Sequence, residues 1–139
     1  MRIINYHLAF AMLLALAVGC GKNPTVSGKV TFPDGTPFTE GKVVFETETF
    51  YASGPIQSDG TYVMGSSNPG DGVPRGTYQV SIQDVVKPNL VFRPGSFAPT
   101  AVTPASSPID PRFFSGNTSG LSCEVKGRTT YNITVEAPQ

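Results

Sequence analysis

The side chains able to do chemistry are few: two cysteines, Cys20 and Cys123, one histidine, His7, and ten carboxylates scattered along the chain. Cys20 ends the tetrad Ala17-Val18-Gly19-Cys20, the small-residue end of a leader behind an apolar run. Cys123 stands in Leu121-Ser122-Cys123-Glu124-Val125, where strand alternation puts it on one face with Leu121 and Val125. It is expected to be a buried small hydrophobe. If Cys20 carries a lipid, Cys123 has no partner, and no intramolecular disulfide is possible even in an oxidising compartment. His7 lies in the leader, so beyond Cys20 there is no imidazole, the commonest general base and transition-metal ligand. Asp34, Asp59 and Asp71 sit in glycine-rich turns that account for them. They could offer oxygens to calcium, but no Asp-x-Asp-x-Asp loop is present and the turn role explains them better. No catalytic residue, cofactor or metal is expected.

The leader has a short start carrying Arg2, an apolar run from Leu8 to Val18 and the small-residue end, which is the layout of a secretory signal. As a helix the run would reach only about 16 Å, against a hydrocarbon core of ~30 Å, so it is too short to remain as a span. Its tetrad resembles the lipobox of bacterial lipoprotein precursors, in which a small residue precedes a cysteine that is acylated before cleavage. Gly19 fits that pattern, whereas Ala17 stands where leucine is most usual. The resemblance implies a signal peptide at 1–19, a lipidated tether at 20–24 beginning with Cys20, and a membrane as partner. Gly21 in place of an aspartate points to the outer rather than the inner membrane.

The elements beyond the tether read as strands and turns. Fifteen glycines and thirteen prolines with only 14% charged residues disfavour long helices and suit a turn-rich β fold. Val26, Gly28, Val30 and Phe32 alternate with polar residues and predict a strand near 25–32, which the turn Pro33-Asp34-Gly35 ends. A second strand is expected over 42–47, and a Ser58-Asp59-Gly60 hairpin is expected to join weak strands at 54–57 and 61–64. Over Thr77–Asp84, Tyr78, Val80 and Ile82 face the core and Thr77, Gln79, Ser81 and Gln83 face solvent. Tyr131, Ile133 and Val135 predict a closing strand. Between them, prolines at 88, 94, 99, 104, 108 and 111 predict a long loop over 86–112. Leu90, Phe92 and Phe97 in it are candidate contact residues, although docking on the sheet is the commoner fate of isolated apolar side chains.

These landmarks resemble a known family. Val26-Ser27-Gly28-Lys29-Val30, Asp34-Gly35-Thr36-Pro37 and Gly41-Lys42-Val43-Val44-Phe45, then Ser58-Asp59-Gly60-Thr61-Tyr62 and Arg75-Gly76-Thr77-Tyr78, resemble carboxypeptidase regulatory-like domains. Ile109-Asp110-Pro111-Arg112-Phe113-Phe114, followed by Thr118-Ser119-Gly120-Leu121 and Glu124-Val125, resembles small lipoproteins abundant in planctomycete bacteria. The resemblance implies an all-β fold, a single small transthyretin-like (prealbumin-like) β-sandwich over 25–139 after a cleaved lipoprotein signal. It brings no functional residues with it.

Lys29 and Asn132 invite comparison with the self-made Lys–Asn crosslinks of some surface sandwiches, but both alternate with core residues and are expected to face solvent. A formal net charge of zero offers no basic stripe for nucleic acid. The expectation is a non-enzymatic, lipid-anchored module of the cell envelope that binds or assembles with envelope protein or polysaccharide. The alternatives are a purely structural lipoprotein and a polysaccharide-binding accessory domain.

Overall fold

The computed structural model describes residues 21–85, 90–91, 94–95, 100–101 and 107–139. Alternating apolar residues and closely spaced turns produce two packed sheets, as the two-residue period of a half-buried strand requires. The chain is a small all-β sandwich.

The first sheet is centred on β1 (Val26–Thr31), which pairs antiparallel with β4 (Thr61–Val63). Its other edge is covered in parallel by β9 (Thr129–Thr130) and β10 (Ile133–Thr134). The second sheet is antiparallel, in the order β3 (Tyr51–Pro55), β2 (Lys42–Glu46), β5 (Gly76–Gln83), β8 (Leu121–Val125). β6 (Leu90–Val91) and β7 (Thr100–Ala101) form a separate two-stranded ribbon. Before β8 come a 3-10 turn, Pro111–Phe114, and the one-turn helix α1 (Gly116–Ser119).

The core lies between the sheets. Val26, Val30, Val43, Phe45, Val80 and Ile82 are fully buried, and each such side chain contributes roughly 1.5–3 kcal/mol by leaving water. The ring of Phe45 stacks on Tyr78 at 5.9 Å and meets Tyr131 edge-on at 6.0 Å, which links the second sheet to the β9–β10 edge of the first. Tyr62 and Tyr78 bury their rings while their hydroxyls donate to the backbone carbonyls of Tyr131 and Pro74.

Several expectations are corrected by this packing. The Ser58-Asp59-Gly60 turn is present and closes a short hairpin: the Gln57 amide donates to the Thr61 carbonyl at 2.8 Å, and Ser53 and Gly65 form an antiparallel bridge in the same register. The main ladders of its two arms nonetheless diverge, β3 pairing with β2 and β4 with β1, so the hairpin joins the edges of the two sheets. Gly60, at φ +82°, lies against β1, where a β-carbon would come within 2.7 Å of the Val30 carbonyl oxygen. Ser81 is fully buried rather than solvent-facing, and so is Val44, its register partner on β2. The closing strand is interrupted at Tyr131–Asn132, between β9 and β10.

The proline-rich stretch 86–112 is also less irregular than expected. It contains the β6–β7 ribbon, and its last residues are packed: Ile109 is fully buried, and the Asp110 amide donates to the Glu136 carbonyl at 2.8 Å. The backbone of Leu90 is in β6, whereas Phe92 and Phe97 lie outside the described residues.

Candidate functional site

Three places combine exposed polar groups with a defined shape, and strand alternation creates the largest. On the second sheet, Val43, Phe45, Tyr78 and Val80 point inward, which leaves Glu46, Thr77 and Gln79 on the outer face beside Ser122 of β8. α1 rises next to that face and adds Asn117. The result is an open groove of about 600 Å³ lined by Glu46, Thr47, Glu48, Thr77, Tyr78, Gln79, Asn117 and Ser122.

α1 is only one turn long, too short to hold itself by backbone bonds alone, and is fixed by side chains. The buried Ser119 hydroxyl donates to the Val80 carbonyl and accepts from the Leu121 amide at 3.1 Å, which ties α1 to both β5 and β8. Thr118 Oγ1 donates to the Arg112 carbonyl at 2.6 Å. Gly116 allows the close approach, since a β-carbon there would lie 2.7 Å from Glu46 Oε1 and 2.9 Å from Gln79 Cβ. The lining therefore offers carboxylate and amide oxygens, amide N–H groups and hydroxyls on a rigid sheet. It can exchange hydrogen bonds with a polyhydroxylated or polar ligand.

The second place is the entry of the chain. Gly21, Lys22 and Asn23 are exposed, but the Pro24 carbonyl accepts from the Val73 amide at 3.0 Å and the Thr25 carbonyl from the Thr129 amide at 3.0 Å. A β-carbon on Gly72 would fall 2.6 Å from the carbonyl oxygens of both Asn23 and Pro24. The backbone is thus seated in the fold from Asn23 onward. A cleft of about 500 Å³ lies between this segment and Gly70–Asp71.

The loop beside that cleft is organised by Asp71. Its carboxylate accepts the amides of Ser66 at 2.6 Å, Ser67 at 2.9 Å and Asn68 at 3.0 Å. These backbone donors, Asn68 foremost, hold its pKa down to about 2. Asp59 accepts from the hydroxyl and amide of Thr61, and Asp34 from the amide of Thr36, and each carboxyl is lowered by those bonds. All three aspartates considered as calcium ligands therefore accept hydrogen bonds within their own turns, Asp71 on both oxygens and Asp34 and Asp59 on Oδ1. Among the described residues no group of three or more His, Cys, Asp or Glu side chains is arranged to hold a metal ion.

The third place lies at the far end of the second sheet, where Lys42 Nζ pairs with Asp84 Oδ2 at 2.9 Å and sits over the exposed Tyr51 ring, 6.0 Å from its centroid. The Asp84 and Tyr51 side chains raise the Lys42 pKa, which keeps it charged. Asp84 is the one non-glycine residue among those described with a left-handed backbone, φ 60°.

The structure scatters the other sequence candidates. Cys123 is buried, as expected, with its thiol pKa pushed up by desolvation, which disfavours the reactive thiolate. Lys29 and Asn132 do meet, but through the Lys29 backbone amide, which donates to Asn132 Oδ1 at 3.1 Å on the exposed side of the first sheet. Cys20 lies outside the described residues. The groove was missed in the sequence, because Asn117 and Glu46 become neighbours only through the pairing of β2, β5 and β8.

No family model matches the chain, and no curated protein matches it. Among solved structures it is similar to a DUF3823 family protein from Bacteroides ovatus, at 16% identity and a TM-score of 0.44, over 81% of this chain and 44% of that one. The chain spans less than half the length of that protein.

Proposed function

We propose that the chain is a bacterial lipoprotein held on a membrane through acyl groups on Cys20, with a non-catalytic sandwich that binds or assembles with envelope polysaccharide or protein. The observation that carries the reading is the early start of the folded domain: the backbone is seated from Asn23, directly after the Gly19-Cys20 tetrad. A lipid on Cys20 would therefore tether the sandwich itself rather than a long linker. One acyl chain gives only reversible attachment at ~0.8 kcal/mol per buried methylene, and two or more hold a protein stably. The outer-face groove supports the binding role, because its amides, hydroxyls and carboxylates suit a polar ligand.

Expression of the whole chain in a bacterial host, followed by mass spectrometry of the amino-terminal peptide, tests the anchor. The expected product begins at an acylated Cys20 and fractionates with membranes, and Cys20→Ala moves it to the soluble fraction. An unmodified Cys20 behind an uncleaved leader refutes the reading. Recovery of envelope polysaccharide or protein by the acylated chain, lost in Gln79→Ala/Asn117→Ala, tests the groove. Equal recovery by both would remove the groove from the account.

A further inference from the structure

We propose that the end of the sandwich at which the chain enters is a docking face for anionic lipid headgroups, holding the domain against the bilayer in one orientation. The inference rests on the lipid-anchor reading and extends it from attachment to orientation.

The first argument is reach. Asn23 is seated against Gly72, so only Gly21 and Lys22 separate it from Cys20. Three Cα–Cα steps of about 3.8 Å allow no more than about 11 Å between an acylated Cys20 and the folded surface. Whatever surrounds Asn23 must face the headgroups.

The second argument is what surrounds it. Thr129 donates to Thr25, which places Arg128 beside the tether, and Val73 donates to Pro24, which places Arg75 two residues further along. Arg75 Nε then donates to the Lys126 carbonyl at 2.8 Å, joining the β8–β9 turn to the start of β5. Lys22, Arg75, Lys126 and Arg128 thus converge on one end, and all four are exposed.

The charges there are left for an external partner. Among the described residues Lys22, Arg75 and Arg128 have no carboxylate within ion-pair distance, whereas Lys42 and Arg112 at other places are paired with Asp84 and Glu136. Lys126 has only a long contact, 3.5 Å, to the exposed Glu124. The other acids at this end are Asp71, which stays ionised while its oxygens accept from its own loop, and Glu48 in the β2–β3 turn; with Glu124 they make three, and the four cations outnumber them. The cleft between Gly21–Asn23 and Gly70–Asp71, which Lys22 lines, gives a headgroup room to enter. Lysines and arginines at an anionic bilayer surface are attracted within about a Debye length, ~8 Å at physiological salt, and a tether of at most about 11 Å lets them come within it.

The test uses the whole chain, expressed with its leader and inserted in its acylated form into the outer leaflet of preformed vesicles. One set is phosphatidylcholine alone and the other includes phosphatidylglycerol. Lysines are labelled with a neutral amine-acetylating reagent, and the rate at each is read by mass spectrometry. Lys22 and Lys126 are expected to react at least about three-fold more slowly on the anionic vesicles, while Lys42, at the opposite end of the sheet, is unchanged. The protection should vanish in molar salt, where the Debye length is about 3 Å. An acylated chain whose Lys22 and Lys126 react equally on both vesicles overturns the docking face and leaves the anchor standing. A chain whose amino-terminal peptide carries no acyl group overturns both.

Discussion

The hydroxyl of Tyr62 donates to the backbone carbonyl of Tyr131, and that carbonyl points at Gly28. A β-carbon on Gly28 would come 1.8 Å from the Tyr131 oxygen and 2.9 Å from the Tyr62 hydroxyl. The interruption between β9 and β10 follows from this contact. Tyr131 turns its carbonyl toward the buried tyrosine, and Asn132 replaces the lost ladder acceptor by taking the Lys29 amide on its side-chain oxygen.

Gly28→Ala should therefore be among the most damaging single substitutions. The obstructing atom is backbone and cannot rotate away, so a loss of about 3 kcal/mol or more is expected. Tyr62→Phe leaves the Tyr131 carbonyl without its donor and should cost about 1–2 kcal/mol. Urea unfolding followed by circular dichroism measures both, and a Gly28→Ala chain as stable as the parent would contradict the geometry.

Asn132→Ala removes the acceptor for the Lys29 amide. The site is exposed and water can substitute in part, so the expected loss is smaller, about 0.5–1 kcal/mol. Hydrogen exchange at Lys29 should accelerate in this variant, while exchange at Val30, whose amide donates to Gly60, should stay slow.

Asp71 supplies a pH dependence whose sign is fixed. Its folded pKa of about 2 lies below that of an unfolded aspartate, about 3.9. Its contribution is complete above about pH 4 and is lost as the pH falls through 2. Asp34 and Asp59 act in the same direction. The urea midpoint should therefore fall between pH 4 and 2, and Asp71→Asn should lower the plateau above pH 4 and flatten the acid limb. An acid limb of unchanged steepness in Asp71→Asn would show that the loop amides do not hold that carboxylate.

Cys123 should be silent toward thiol reagents in the native state. Burial raises its pKa and blocks access, so reaction with a disulfide reagent at pH 8 should be slow until urea unfolds the sandwich. Rapid labelling of Cys123 without urea would place it at the surface instead.

Residues with strict alternation foretold the fold well. Val26 and Val30, Tyr78, Val80 and Ile82, and Ile133 and Val135 are buried as the two-residue period demands, because a strand has only two faces. Ser81 escaped that logic: its own strand marks it as outward-facing, yet the outer face is covered where it sits. The Ser58-Asp59-Gly60 turn was visible, but that its second arm joins another sheet depends on the pairing of β4 with β1, a contact remote in sequence. The groove and the basic end were hidden for the same reason. Lys22, Arg75 and Arg128 are scattered along the chain and become neighbours through the amides of Val73 and Thr129.

The parallel pairing of β1 with β9 and β10 bears on when the molecule can fold. Lys29 meets Asn132 across 103 positions of sequence, and closing a loop of roughly a hundred residues carries an entropic penalty of about 4 kcal/mol before the ladder gives anything back. Such contacts make for slow folding. The first sheet stays unfinished while β9 and β10 are still being synthesised. The second sheet, whose strands all precede β9, can pair earlier, and the sandwich closes only once its last strands exist.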